Sequence, residues 1–244
     1  MAEFYLCSMR ILLVSATTPE LRQATEWLDK SGPESSALQK AESSNGALQT
    51  EQLITGVGQL QTAYCLLKKI YTHRPGFIIQ AGIGGSPDAG HIGKVFGIRS
   101  ERLADLGVEE KTGFKSIYDL KLGERDHFPF SNGLLKNPYA RLMEWSGFSF
   151  LEGITVNEVS TNPSRIRTLK QNAPCFVESM EGAALHYVCL MEKIPFLQIR
   201  SVSNVLGERD KARWKIPEAL LRLNEALIDF IKKLQTIDEA IFRI

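Results

Sequence analysis

The chain alternates short, nearly continuous apolar runs with longer stretches in which apolar residues recur at helical spacing. Met9-Arg10-Ile11-Leu12-Leu13-Val14-Ser15 is one such run, and Ala16-Thr17-Thr18-Pro19-Glu20 follows it. An unbroken apolar run of this length predicts a strand buried on both faces. Thr18 predicts the N-cap of a helix, with Pro19 at the first helical position, where its missing N–H goes unused, and Glu20 in the first turn. A second unit starts at Leu53-Ile54-Thr55, turns at Gly56-Val57-Gly58 and continues as a helix with apolar positions Leu60, Ala63, Tyr64, Leu67 and Ile70. Phe77-Ile78-Ile79-Gln80-Ala81 predicts a third strand, which ends in a tight glycine turn over Gly82-Ile83-Gly84-Gly85-Ser86-Pro87.

Further along, Gly153 to Val159 predicts a short strand, and Met180 to Met191 a helix that Pro195 stops. Phe196 to Val202 reads as a core strand and Pro217 to Leu234 as a long terminal amphipathic helix. Residues 31–50, with Gly32-Pro33, several serines and Asn45-Gly46, carry loop signals. Strands alternating with helices predict an α/β protein of three layers, α-β-α, around a central mixed, mostly parallel twisted sheet. The 244 residues suit one large domain spanning 1–244.

Charge narrows the partners. The 29 basic and 28 acidic residues leave a formal charge of +1, so no net field would hold a polyanion, and nucleic acid is not an expected partner. Apolar runs such as Met9 to Val14 fall far short of the roughly 20 residues that cross a bilayer, and Met1 to Met9 shows no export signal, which predicts a cytoplasmic protein without a membrane partner. Cys7, Cys65, Cys175 and Cys189, like His73, His91, His127 and His186, are dispersed without metal-ligand spacing. No metal and no cofactor are expected.

Ligands of open α/β sheets bind beyond the carboxyl ends of the strands, which singles out Glu20, the Gly82 to Ser86 segment, Met180-Glu181 and Ser203-Asn204. Glycines at 82, 84 and 85 let a ligand approach backbone amides, although their spacing fits neither a dinucleotide nor a triphosphate loop. Glu20 reads either as the acid of a Thr17-x-x-Glu20 capping box or as a general base that activates water for N-glycoside cleavage. Glu181 reads either as an acid favoured at a helix start or as an acceptor for two ribose hydroxyls, with the Met180 thioether against the sugar.

Glu178-Ser179-Met180-Glu181-Gly182-Ala183-Ala184 and Arg200-Ser201-Val202-Ser203-Asn204, together with Thr55 to Gly58 and Gln80 to Ser86, resemble the nucleoside phosphorylase and nucleosidase superfamily. Within it, Glu101-Arg102-Leu103-Ala104-Asp105-Leu106-Gly107 and Ser203 to Asp210, with Trp214 beyond, resemble the futalosine hydrolases. The resemblance implies that Glu20 activates water and that Glu181 grips the ribose hydroxyls beside Met180. It also implies that Gly82, Ile83, Gly84, Val159 and Ser179 line the substrate. Asn204 stands where adenine-specific relatives carry an aspartate. An amide offers two donors, which suits the N7 and O6 acceptors of a 6-oxopurine, so hydrolysis of futalosine to hypoxanthine is expected. The alternatives are an adenine-type nucleosidase, a phosphorylase and an idle nucleoside-binding protein. Phosphorolysis needs cations for its anionic nucleophile, and Phe77 to Ala81 offers none, although Arg22 lies close to Glu20 in sequence. Arg102, Arg209 and Arg213 are candidates for a carboxylate on the 5′ substituent. The expected partners are a small nucleoside and further copies of the chain, as a homodimer or higher oligomer.

Overall fold

The computed structural model describes residues 10–31, 49–111, 113–235 and 238–244. Most of the loop predicted over residues 31–50, the segment Met1 to Met9 and Cys7 lie outside them. The apolar run becomes strand β1 (Arg10–Ser15), followed by a 3-10 turn at Thr18–Glu20 and helix α1 (Arg22–Ser31). The cap is Thr17, one residue earlier than predicted, and the first turn is the tighter 3-10 form. β2 (Gln49–Ile54) and α2 (Gln59–Thr72) make the next unit, and β3 (Phe77–Ser86) follows. Thr62, Leu66 and Ile70 are the buried positions of α2, whereas Leu60 and Tyr64, expected on the core face, are 84% and 64% exposed.

β3 does not stop at Ala81. It runs through the glycines to Ser86, so the predicted tight turn is strand interior. The reason is close approach: a Cβ on Gly82 would stand 2.0 Å from Arg200 Nη1, and one on Gly84 would stand 2.6 Å from the carbonyl oxygen of Glu178. Neighbouring segments occupy the space that side chains would need.

The middle of the chain adds β4 (Val95–Leu103), the hairpin β5 (Gly107–Glu110) and β6 (Gly113–Ser116), β7 (Leu135–Lys136) and α3 (Ala140–Ser146). Then come β8 (Phe150–Thr155), α4 (Pro163–Asn172), β9 (Phe176–Ser179), α5 (Gly182–Glu192), β10 (Phe196–Val205) and α6 (Ile216–Leu234). The predicted short strand thus ends at Thr155, and Val159 lies in the loop beyond it.

The main sheet is mixed and mostly parallel, as expected, but it is not an open layer. β10 pairs with β3 in parallel and with β4 antiparallel, while β4–β8, β8–β9 and β9–β3 pairings complete a ring. β1 and β2 extend the sheet outward from β3. The three-layer sandwich is therefore corrected to a partly closed sheet with helices around it. Two ten-residue strands, β3 and β10, make this closure possible, because each is long enough to serve two neighbours along its length, and β10 shifts register between Val202 and Asn204. A continuous core of Phe77, Ile79, Phe196, Leu197, Leu223 and Phe230, among others, joins β1, β3 and β10 to α6.

Candidate active site

The site forms where the 3-10 turn after β1, the second halves of β3 and β10 and the start of α5 meet. Thr17 donates its backbone N–H (2.8 Å) and its hydroxyl (2.9 Å) to Glu20 Oε2, so the acid folds back over its own turn. Ile83 N–H donates to Glu20 Oε1 at 3.1 Å, which ties the carboxylate to the glycine-bearing part of β3. The capping reading and the functional reading of Glu20 are thus compatible: the local bonds aim the side chain at β3.

Glu181 occupies the N-cap position of α5, yet its side chain does not cap the helix. It accepts from Gly58 N–H at 3.0 Å and lies 3.4 Å from Arg200 Nη1. Gly58 holds φ at +100°, a conformation that side-chain-bearing residues rarely adopt, so the turn before α2 delivers a backbone donor to this acid. Arg200 is 1% exposed and donates from Nη2 to Gln80 Oε1 at 2.9 Å. A Cβ on Gly82 would lie close to both Arg200 Nη1 and Glu20 Oε1, at 2.0 and 3.1 Å. Glu20 and Glu181, far apart in sequence, therefore flank one locus.

Asn204 lies near the end of β10, opposite Gly85. The Ser203 hydroxyl donates to Asn204 Oδ1 at 2.9 Å and Asn204 Nδ2 donates to Val205 O at 3.2 Å. These two bonds leave one N–H of the amide over. Glu20, Glu181 and Asn204 are 5%, 5% and 6% exposed, and Ile83, Gly84, Val159 and Met180 are half-buried. Gly82 is buried, and Ser179, 5% exposed at the end of β9, keeps a hydroxyl without a protein partner.

Sequence reasoning gave no role to Arg200, Glu101 or Glu178. A charged residue inside the apolar run Phe196 to Val202 was the available signal for Arg200, since a buried cation needs partners. Glu101 on β4 is fully buried; loss of hydration is the main cause lifting its carboxyl from 4.5 to about 7. Glu178 on β9 accepts from Ser160 N–H at 3.0 Å, and burial likewise raises its pKa. The arginines proposed for the 5′ group are occupied or outward: Arg102 lies 3.8 Å from Glu152, Arg213 pairs with Glu208 at 3.1 Å, and Arg209 is exposed. Arg22 is exposed at the start of α1.

Two other features stand out. A cavity of about 240 Å³ sits between α4 and the β5–β6 hairpin, lined by Arg102, Phe114, Tyr118, Arg125 and Arg165 among others. The fold also gathers Asp88, His91 and Cys175, dispersed in sequence, so that their ligand atoms lie within 4.8 Å of one another. His91 there already contacts the Ser86 hydroxyl through Nδ1, at 2.9 Å, and Asp88 is 3.5 Å from its Nε2.

Comparison with solved structures fixes the fold. The 5′-methylthioadenosine/S-adenosylhomocysteine nucleosidase of Colwellia psychrerythraea, solved with adenine, matches with a TM-score of 0.71 at 18% identity, covering 95% of this chain and 98% of that one. The native futalosine hydrolase of Helicobacter pylori matches with a TM-score of 0.68 at 14% identity, over 92% and 98% of the two chains. The fold is the nucleoside phosphorylase-like α/β fold, and the protein is a nucleosidase, an N-glycosyl hydrolase. The futalosine hydrolase of Thermus thermophilus is 31% identical over 179 residues, 72% of this chain and 78% of that protein, and the chain belongs to the futalosine hydrolase family. No family model matches it.

Proposed function

We propose that this chain cleaves the N-glycosidic bond of futalosine with water and releases hypoxanthine. The observation that carries the reading is the meeting of two buried carboxylates, Glu20 and Glu181, around Gly82 and Arg200. In this reading Glu20 orients and deprotonates the attacking water as an oxocarbenium-like sugar develops, and Glu181 accepts from the ribose hydroxyls with Met180 beside the ring. Ile83, Gly84, Val159 and Ser179 line the nucleoside.

Asn204 sets the base. Its Oδ1 accepts from Ser203 and its Nδ2 donates to Val205 O, which leaves one N–H to offer a purine acceptor and a second lone pair on the oxygen. A donor to N7 stabilises hypoxanthine as it departs with the bond's electrons. Water is favoured over phosphate because the buried cation at the site is committed: Arg200 faces Glu181 and donates to Gln80.

A second copy of the chain completes the assembly in this proposal. Val57, Leu60 and Tyr64 of the α2 region and Tyr187 and Met191 of α5 leave apolar surface in water beside Gly58, the donor to Glu181. Such a patch fits a homo-oligomeric contact. The test of function is hypoxanthine release from futalosine in phosphate-free buffer, with adenosine-type nucleosides in parallel. Release that requires phosphate replaces hydrolysis with phosphorolysis, and faster release of adenine overturns the role given to Asn204.

A further inference from the structure

Beneath the first turn of α5 lies a buried polar chain that the reaction does not touch. Glu101 Oε1 accepts from Gln198 Nε2 at 2.9 Å, and Oε2 accepts from the Thr155 hydroxyl at 2.9 Å. Thr155 Oγ1 in turn accepts from Ala183 N–H at 2.8 Å, one of the unpaired donors that open α5. Gly153 and Gly182 make room: a Cβ on them would stand 2.3 and 1.9 Å from Glu101 Oε1. On the far side, Gln198 also faces His186, whose Nδ1 lies 2.9 Å from the carbonyl of Leu135.

This chain is one proton short. The Leu135 carbonyl can only accept, so His186 Nδ1 carries a hydrogen, and a neutral ring then presents a bare acceptor at Nε2. Gln198 Oε1 is also an acceptor, and both atoms are buried without a partner. One added proton closes the gap. If Glu101 is a neutral acid, it donates to Gln198 Oε1 once the amide is turned over, and Gln198 Nε2 then donates to His186 Nε2. If the proton sits on His186 instead, it bonds Gln198 Oε1 directly, but that leaves two full charges in a dry interior. Amide orientation is interchangeable in shape, so the first arrangement needs no movement of the backbone.

We propose that Glu101, Gln198 and His186 hold one proton among them, resident on Glu101, and that neutral Glu101 is a positioning residue for Glu181. Arg200 and Gln198 from β10, Glu181 and His186 from α5 and its cap, and Thr155 from β8 are the groups that face this acid. Arg200 faces both acids, so ionising Glu101 places a second negative charge against the one cation that faces Glu181. The bond chain through Thr155 to Ala183 carries the same change to the start of α5. Burial supports the assignment, lifting the acid to about 7 and lowering the imidazole to about 4.

The inference rests on Glu181 as the ribose acceptor, and its test has one arm that does not. Infrared difference spectra of ligand-free protein, wild type minus Glu101→Gln, should show a neutral carboxylic acid below the titration point. Glutamine reproduces the protonated acid, donating to Gln198 Oε1 and accepting from Thr155. In kinetics, the wild-type KM should rise about tenfold one pH unit above that titration point, with kcat little changed, if only the protonated form binds. Glu101→Gln should abolish this rise. A carboxylate band at Glu101 in folded wild type near pH ~6, or a KM rise that persists in Glu101→Gln, overturns the proposal. Inactivity of the wild type toward every nucleoside defeats the functional reading and leaves the infrared arm to decide this one.

Discussion

The two halves of β10 are built on opposite principles. Phe196, Leu197 and Ile199 are sealed in the core with Phe77, Leu223 and Phe230, and Gln198 is the one polar side chain of that half. From Arg200 to Asn204 the same strand is equally buried but polar, and Arg200 Nε and Ser201 Oγ find no protein partner. Burying polar groups without partners costs about 1–3 kcal/mol each, so the second half is destabilising in isolation. The first half stabilises the fold, and the second uses that stability to hold charge and donors at the candidate site.

The sharpest way to break this contrast is to change a neighbour of each half and read both activity and stability. Glu20→Gln, on the polar side, should lower kcat by about two to four orders of magnitude, the range of general-base contributions, while the melting temperature stays close to that of the wild type. Hypoxanthine release under saturating futalosine measures the first and calorimetry the second. Near-normal turnover would return Glu20 to its capping role.

Phe77→Ala tests the other half. The ring packs against Phe230 and Phe242, at centroid distances of 6.5 and 5.0 Å, and is fully buried. Truncation should cost about 3–5 kcal/mol of stability. Chemical denaturation would show it, and kcat measured well below the melting transition should hold. A parallel loss of both would mean that the halves are not separable.

The apolar half is also the half that could be read in the sequence. Arg10 to Ser15, Phe77 to Ala81 and Phe196 to Val202 could be read as strands because a strand buried on both faces is rich in apolar residues, and that signal is local. The candidate acids were visible from their places after strands and from the family resemblance. Closure of the sheet was not, because it depends on pairing partners far apart in the chain. The glycines 82 to 85 misled for a related reason: glycine marks both turns and close approach, and only the positions of Arg200 and Glu178 distinguish them. On α2, periodicity favoured Leu60 and Tyr64, yet Thr62 and Leu66 are buried, since apolar residues left in water look the same in sequence as ones that face the core.

A subtler change within the polar half concerns choice of base. Asn204→Asp exchanges an amide donor for an acceptor at the end of β10 and leaves the Ser203 hydroxyl a partner. The ratio of kcat/KM for hypoxanthine over adenine nucleosides should fall by about tenfold, the equivalent of one hydrogen bond. An unchanged ratio would mean that the base is read elsewhere.

The smallest effect is expected from pH, because the two halves of the buried proton chain oppose one another. His186 has its pKa lowered by burial from 6.5 to about 4, so the unfolded state binds the proton first and stability falls as pH drops from 6.5 through about 4. Glu101 is raised from 4.5 to about 7, so the folded state holds its proton longer and stability falls as pH rises from 4.5 through about 7. Between 4.5 and 6.5 the two slopes have opposite signs, and their contributions to a plot of wild-type melting temperature against pH should nearly cancel. Glu101→Gln removes one of them, and the melting temperature of that variant, relative to the wild type, should climb with pH across this window. Parallel curves for the two proteins would show that Glu101 does not titrate there, and that the polar half of the core is set by packing rather than by a stored proton.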